Sequence, residues 1–265
     1  MLVHSRGARA ALHAVFFALF LPVFALPFAV VLAASFAGNW SGALPSSWTL
    51  GNYTAAVSGD SLQALNTSLV TAAVASAAAL TAGTWAALAA QRLGRRARTA
   101  VDAVFMLPVA VPSVVVGLAL LVAFSAPPLL LNGTRWIVML AHAVLVTAFA
   151  YQSLTAALAR LDPAYEQAAA GLGGRPGYVL WKVKLPLLLP SLGAAAGLCF
   201  ALSMGELSAT MMLYPPDWLP LPVRIFASTD RGALYTGAAL AVLLMAATLT
   251  ALVLLSRVRS RAEQR

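Results

Sequence analysis

Charged residues are scarce in this sequence: Asp, Glu, Lys and Arg make up 9% of its 265 residues. Soluble domains carry about a quarter charged residues, and hydrophobic residues reach 61% here, so a soluble globular domain is excluded. The single cysteine, Cys199, excludes an intrachain disulfide, and its place in an apolar run indicates a small core residue. His4, His13 and His142 are too far apart in sequence to predict a metal site. We therefore expect no metal and no cofactor.

Catalytic motifs are also missing from the sequence. It contains no Walker-type phosphate loop, no HExxH motif and no Ser, His and Asp set with credible spacing. We therefore predict no catalytic residue and no ATP hydrolysis by this chain. Strands of alternating polarity, which are typical of membrane barrels, are absent too, whereas apolar runs of about 20 residues or more recur. The sequence predicts an all-α integral membrane protein.

Six apolar segments are long enough to cross a bilayer, and they predict one membrane domain over residues 1–265. The first segment could instead be a cleaved signal peptide, because Ala33-Ala34-Ser35 is small enough for cleavage. Its apolar run is longer than a typical signal core, so a retained anchor is favoured. The predicted spans are about 12–36, 65–90, 101–124, 136–158, 187–213 and 232–255.

Basic residues are distributed unevenly between the spans, and the net charge is +9. Only Arg135, Arg224 and Arg231 fall on one side of the predicted membrane. By the positive-inside rule, both termini and the loop at 162–190 are predicted to be cytoplasmic. This distribution indicates membrane topology and contact with anionic lipid, and it argues against a nucleic acid partner. The residues on the cytoplasmic side are Arg6, Arg9, Arg92, Arg95, Arg96, Arg98, Arg160, Arg175, Lys182, Lys184, Arg257, Arg259, Arg261 and Arg265.

Several residues inside the spans are candidates for a pathway. Pro108 and Pro112 free backbone carbonyls and predict a kink that is either structural or lines a pathway. Glu206 lies past the midplane toward the outside, and it should face water or the bundle interior because a carboxylate within a span costs about 2.5–3.5 kcal/mol. Gly205 beside it is expected to permit a close backbone approach. His142 is either functional or a hydrogen-bonded packing residue.

The loop at 162–190 is predicted to hold two short helices joined by a sharp turn. Asp162-Pro163 begins the first helix, with an N-cap acceptor and a proline at the first helical position. Gly173-Gly174 ends it, and Gly173 is expected to need a positive φ. Gly174→Ala is expected to be milder than Gly173→Val.

The second short helix begins at Arg175-Pro176, and Pro186 and Pro190 are expected to limit its continuation into the next span. Such a pair of helices suits a groove on a partner. From spacing alone, an amphipathic pair lying on the membrane surface is favoured over that interpretation. The second helix carries the aromatic and basic side chains of Tyr178, Trp181, Lys182 and Lys184.

This loop resembles the cytoplasmic loop of permeases in binding-protein-dependent ABC importers. Their pattern is Glu-Ala-Ala, three residues, Gly, nine residues, an Ile-type residue, one residue and Leu-Pro. The sequence departs from it at Gln167, with a carboxylate one position earlier at Glu166. The residues that keep the spacing of the pattern are Gln167-Ala168-Ala169, Gly173, Val183 and Leu185-Pro186. The coupling residues that the resemblance implies are Glu166, Gln167, Ala168, Ala169, Gly173, Tyr178, Trp181 and Pro186.

The resemblance extends over nearly all of the chain and implies the six-helix bundle of a type I ABC importer permease in the bacterial inner membrane. It further implies two cytoplasmic ATPases on these loops, a second permease subunit, the same or homologous, and an external solute-binding protein. The segments 205–210, 214–216 and 221–225 look closest to the phosphonate, ferric-iron and thiamine branch, with 2-aminoethylphosphonate as the favoured solute. A polyamine permease is the next transport alternative. A helical membrane scaffold without transport is the alternative from another class.

Overall fold

The computed structural model describes residues 5–263, apart from the side chains of residues 6 and 257–263, and these residues form a helical protein. A strand pair joins Ala37–Asn39 (β1) to Ser47–Trp48 (β2) in antiparallel register. The helices are α1 (Arg6–Ser35), α2 (Gly51–Ala56), α3 (Gly59–Ala90), α4 (Arg95–Ala110), α5 (Ser113–Ala123), α6 (Arg135–Arg160), α7 (Pro163–Gly171), α8 (Pro176–Val179), a π-helical turn (Leu180–Lys184), α9 (Leu185–Met204), α10 (Ser208–Leu213), α11 (Leu221–Asp230) and α12 (Leu234–Glu263).

The prediction of an all-α membrane fold is confirmed. Among the described residues, five helices are long and apolar enough to cross a membrane, and there are up to six if α4 and α5 are counted as one broken span. The chain divides into two compact units. One holds the residues up to Leu62 with Ile225–Leu243, and the other holds Gln63–Arg224 with Leu244 onward.

In the first unit, the C-terminal end of α1 is held by side chains of α2. The Asn52 amide donates hydrogen bonds to the carbonyls of Ser35 (3.1 Å) and Ala37 (2.9 Å). The Tyr53 hydroxyl lies 2.7 Å from the Ser35 hydroxyl. The bond to Ser35 satisfies one of the backbone carbonyls that the end of a helix leaves without intrahelical partners.

In the second unit, α3, α6 and α9 pack around a shared core. Helix association in lipid relies on close packing of small residues rather than on the hydrophobic effect. Gly83 shows such packing, because a Cβ there would lie 2.8 Å from the backbone nitrogen of Tyr151. α3 and α6 therefore touch at the backbone. The buried residues of the main cluster are Ala87, Ala90, Tyr151, Leu154, Leu158, Leu188 and Ala195.

The predicted third span is broken into α4 and α5, whose axes differ by 104°. Pro112 caps α5, and Val111 before it has the extended conformation (φ −109°, ψ 134°) that a residue preceding proline favours. Pro108 lies inside α4 and does not end it. Of the two prolines expected to kink this segment, Pro112 is the one at the break.

The predicted fifth span is interrupted as well. α9 ends at Met204, and Gly205–Leu207 separates it from α10, so 187–213 is not one helix. The expectation that Pro186 and Pro190 limit helix continuation is wrong. Pro186 is in the first turn of α9, where a missing amide hydrogen costs little, and the π-helical turn before it accommodates its ring. Pro190 lies inside α9.

Two segments that lie between the predicted spans contain regular structure. The segment 38–64 holds parts of the strand pair, all of α2 and the first turns of α3, which begins at Gly59. The segment 214–231 holds α11. Its N-terminal part is anchored to α3: the Trp218 indole donates to the Thr71 hydroxyl (3.0 Å), and the Leu221 amide donates to the Ser68 hydroxyl (2.8 Å).

Candidate functional site

The 162–190 loop has the helix start and the glycine turn that its sequence predicts. The Asp162 carboxylate accepts a hydrogen bond from the Ala164 amide (2.9 Å) at the start of α7. At the end of α7, the Gly173 amide donates to the Ala170 carbonyl (2.9 Å) and the Gly174 amide donates to the Ala169 carbonyl (3.0 Å). This pair of bonds is the Schellman motif. Gly173 has φ +83°, so the expected positive φ is confirmed.

Gly174 is constrained by contact rather than by its backbone angle. A Cβ at this position would lie 2.7 Å from the carbonyl oxygen of Ala169 and 3.3 Å from Val179. The same hydrogen bond that closes the turn brings this oxygen close. The expectation that Gly174→Ala is milder than Gly173→Val stays a prediction. A Cβ at Gly174 is crowded, whereas a Cβ at Gly173 would meet nothing within 4 Å but would be strained by the positive φ.

An ion pair joins α7 to the π-helical turn that follows α8. Glu166 Oε2 lies 2.6 Å from Lys184 Nζ, and the Lys184 ammonium also donates to the Gln91 side chain at 3.5 Å. The sequence has Gln167 where the family pattern has Glu, but the neighbouring Glu166 supplies the carboxylate of this ion pair. Gln167 itself is exposed, as is Ala168, whereas Ala169 is half-buried.

The loop presents an exposed aromatic surface. Tyr178 and Trp181 are each 61% exposed, and Leu172 at the end of α7 is 91% exposed. The Trp181 ring meets Trp85 of α3 edge-on, with centroids 6.2 Å apart. Pro186 is also exposed. Apolar side chains grouped on a surface in this way mark an interaction site for a protein or a membrane.

A second candidate site lies where the two broken spans meet. α5 and α10 touch at the backbone, because a Cβ on Gly117 would lie 2.9 Å from the Cα and the oxygen of Ala209. Gly205 does not make the close approach expected of it: a Cβ there would have its nearest neighbour at 3.8 Å, within its own helix. Its φ is −93°, which any residue adopts.

His142 joins the two sides of the α9–α10 break. Its Nδ1 lies 2.7 Å from the Ser203 hydroxyl on α9, and its Nε2 lies 2.8 Å from the Thr210 hydroxyl on α10. His142 is 2% exposed, so the imidazole is a buried and fully hydrogen-bonded group. Of the two roles open from sequence, the structure shows the hydrogen-bonded packing role.

Glu206 lies in the break itself. Its Oε1 accepts a hydrogen bond from the Ala209 amide (2.7 Å) in the first turn of α10, and its side chain is half-buried. Beside it is a cavity of about 200 Å³. The cavity brings Glu206 together with Pro108, while neither Pro112 nor Gly205 lines it. Its lining also includes Val109, Ser113, His142, Phe149, Leu202 and Ser203.

α4 and α6 share a polar contact that was not predicted from the sequence. The Tyr151 hydroxyl of α6 donates a hydrogen bond to the Asp102 carboxylate of α4, and the Phe105 ring stacks on Tyr151 at 4.6 Å. Asp102 could have been identified from the sequence as a candidate, because it is a carboxylate inside a predicted span. The roles of Ser203 and Thr210 had no such signal, since single hydroxyls are common in membrane helices.

Comparison with known proteins places these features in a family. A family model described as "Binding-protein-dependent transport system inner membrane component" matches residues 79–261. The "Putative 2-aminoethylphosphonate transport system permease protein PhnV" of Salmonella typhimurium is 46% identical over 265 residues, which is 100% of each chain. The putrescine transport system permease protein PotI of Escherichia coli is 31% identical over 70% of this chain and 68% of its own.

Solved structures have the same fold at low sequence identity. A chain of a bacterial ABC transporter involved in the import of alginate matches with a TM-score of 0.72 and 16% identity, covering 96% of both chains. A chain of the alginate transporter in complex with an alginate pentasaccharide-bound periplasmic protein matches with a TM-score of 0.74, covering 96% of this chain and 93% of the other. The chain belongs to the family of inner-membrane permease components of binding-protein-dependent ABC transport systems.

Proposed function

We propose that this permease forms the path by which 2-aminoethylphosphonate, or a closely related phosphonate, enters the cell. The observation that supports this solute is the 46% identity with the Salmonella 2-aminoethylphosphonate permease over the full length of both chains. The chain is a transport subunit, and ATP hydrolysis is assigned to a separate partner. An external binding protein is the component that delivers the solute.

The 162–190 loop is proposed as the contact for a cytoplasmic ATPase. Its support is the exposed aromatic surface of Tyr178 and Trp181, which follows the turn at Gly173. Two ATPases and a second permease, the same or homologous, complete the importer. ATPase closure would move the two loops together and open the bundle outward, as a rigid-body alternation between two states. The coupling residues proposed are Glu166, Gln167, Ala168, Ala169, Gly173, Tyr178, Trp181 and Pro186.

The helix breaks are proposed to lie on the solute pathway. Irregular backbone at membrane depth is tolerated only where protein or a wet cavity satisfies it. Glu206 and Pro108 line one cavity, while Gly205 and Pro112 supply the breaks on either side of it. The basic residues support an orientation with both termini and the 162–190 loop in the cytoplasm of a bacterium.

The polyamine alternative has one specific observation in its favour, the 31% identity with the putrescine permease. That relative matches 70% of the chain, whereas the phosphonate relative matches all of it. Ferric iron and thiamine have support only from the resemblance of short segments. The scaffold alternative is disfavoured by membership of a permease family.

Uptake in cells tests the proposed solute. The permease would be expressed with its partner ATPase and external binding protein, in a strain without phosphonate uptake. We expect accumulation of radiolabelled 2-aminoethylphosphonate that excess unlabelled compound inhibits and excess putrescine does not. Accumulation of labelled putrescine instead would assign the permease to polyamines. No uptake of either compound by a complex of normal abundance would contradict both assignments.

A further inference from the structure

The cavity between the two helix breaks has the chemistry of a binding site for a positively charged group. We infer that Glu206 binds the primary ammonium group of the transported solute in this cavity. The inference rests on the proposed function, because it is the transport of an aminophosphonate that brings such a group here. It adds to that function the end of the solute that the permease recognises.

The charge of the cavity supports the inference. Among the described residues that line it, Glu206 carries the only formal charge, and no Arg or Lys is present. A carboxylate without a cationic neighbour repels a phosphonate and attracts an ammonium group. A solute that carries both groups would therefore enter with its amine toward Glu206 and its phosphonate away from it.

The geometry leaves part of the carboxylate available for a ligand. Glu206 Oε1 accepts a hydrogen bond from the Ala209 amide. Within residues 5–263, the carboxylate forms no other hydrogen bond. Capping a helix needs one acceptor oxygen, which a neutral Ser or Asn also supplies. A charged residue at this depth is therefore more than capping requires. Oε2 remains free to accept from a ligand.

The neighbouring groups position the carboxylate rather than compete with it. Both ring nitrogens of His142 are hydrogen-bonded, to Ser203 and Thr210, so the imidazole is held in place in the lining of the cavity. The contact between Gly117 and Ala209 fixes the backbone that holds the carboxylate. Phe149 also lines the cavity and contributes an aromatic surface, which favours cations.

Equilibrium binding to the purified importer, without its external binding protein, tests the site. The probe is radiolabelled 2-aminoethylphosphonate, and the competitors are 3-aminopropylphosphonate, which has the amine, and ethylphosphonate, which lacks it. We expect saturable binding that the amine-containing compound displaces at least tenfold better. Glu206→Gln should weaken binding by about tenfold or more, because it removes one partner of a partly buried charge pair. Glu206→Asp, which keeps the charge, should weaken it less.

Asp217→Asn is the matched control, since it neutralises an exposed carboxylate outside the cavity. It should bind as wild type does. Wild-type affinity in Glu206→Gln, equal competition by ethylphosphonate, or the absence of saturable binding to wild type would overturn the assignment. Wild-type uptake in reconstituted vesicles separates the two proposals. Uptake with binding that does not depend on Glu206 refutes the site alone, whereas amine-dependent binding without uptake refutes the transport function and leaves the site standing.

Discussion

The turn between α7 and α8 allows a sharp test of the 162–190 loop. Gly173→Ala places a side chain at φ +83°, and the left-handed conformation costs a non-glycine residue about 1–2 kcal/mol. Gly174→Ala places a Cβ 2.7 Å from the Ala169 carbonyl oxygen, a contact that moves the backbone and breaks the bond closing the turn. That bond is worth about 0.5–1.5 kcal/mol.

Both substitutions should therefore open the turn to a similar degree. One or two kcal/mol lowers the ratio of correctly formed to opened loop by about 5- to 30-fold. Tyr178 and Trp181 would then no longer hold their positions relative to α7. We expect normal membrane abundance, because the turn lies outside the spans, with weaker recovery of the ATPase and loss of substrate-stimulated ATP hydrolysis.

The same loop supplies matched controls. A Cβ on Gly171 or Gly177 would meet nothing within 4 Å, and neither residue has a positive φ. Gly171→Ala and Gly177→Ala should thus bind the ATPase and support stimulated ATP hydrolysis as the wild type does. At the turn itself, Gly173→Asn should be milder than Gly173→Val, because Asn enters the left-handed region more readily than a β-branched residue.

The measurement is the amount of ATPase that co-purifies per permease in mild detergent, together with ATP hydrolysis stimulated by the loaded binding protein. If Gly173→Ala and Gly174→Ala match the two controls in both assays, the turn does not position a docking surface. The amphipathic pair on the membrane surface would then be the better interpretation of this loop.

Three further predictions concern the bundle and its orientation. His142→Ala should lower the stability of the detergent-purified protein by about 2–4 kcal/mol in thermal unfolding, since it leaves a cavity and two hydroxyls without their partner; no loss relative to His142→Gln would contradict this. Gly83→Ala should reduce membrane abundance, because its Cβ would lie 2.8 Å from backbone, whereas Gly205→Ala, with its nearest neighbour at 3.8 Å, should not. Single cysteines at Gly94 and Gly42 should be labelled from the inside and the outside respectively, and reversed accessibility would overturn the charge argument.

Features that depend on neighbouring residues in sequence were predictable. The start of α7 at Asp162-Pro163 and the Gly173 turn that terminates it follow from capping rules that involve a few adjacent residues. The break at Pro112 follows from the restriction that proline places on the residue before it. Each of these outcomes is decided by local backbone sterics and hydrogen bonding.

Features decided by tertiary contacts could not be predicted from sequence in the same way. Gly83 and Gly117 carry backbone contacts between helices, while Gly205, which looked similar in sequence, carries none. The partners of His142 lie 61 and 68 residues away along the chain. The local rule for proline failed at Pro186 because a π-helical turn before it changes the geometry that the rule assumes.

The break after α9 gives the proposed coupling a physical route. Pro176–Met204 is one continuous helical segment of 29 residues, about 40 Å long, so the aromatic surface of the loop and the cavity lie at its two ends. α10, beyond the break, is fixed to α5 by the contact at Gly117. A movement of the loop that carries this segment along its axis would therefore shift Ser203 relative to Thr210. Because His142 binds both hydroxyls, such a shift must break one of its hydrogen bonds. Since His142 also lines the cavity, we expect loop position and cavity shape to change together.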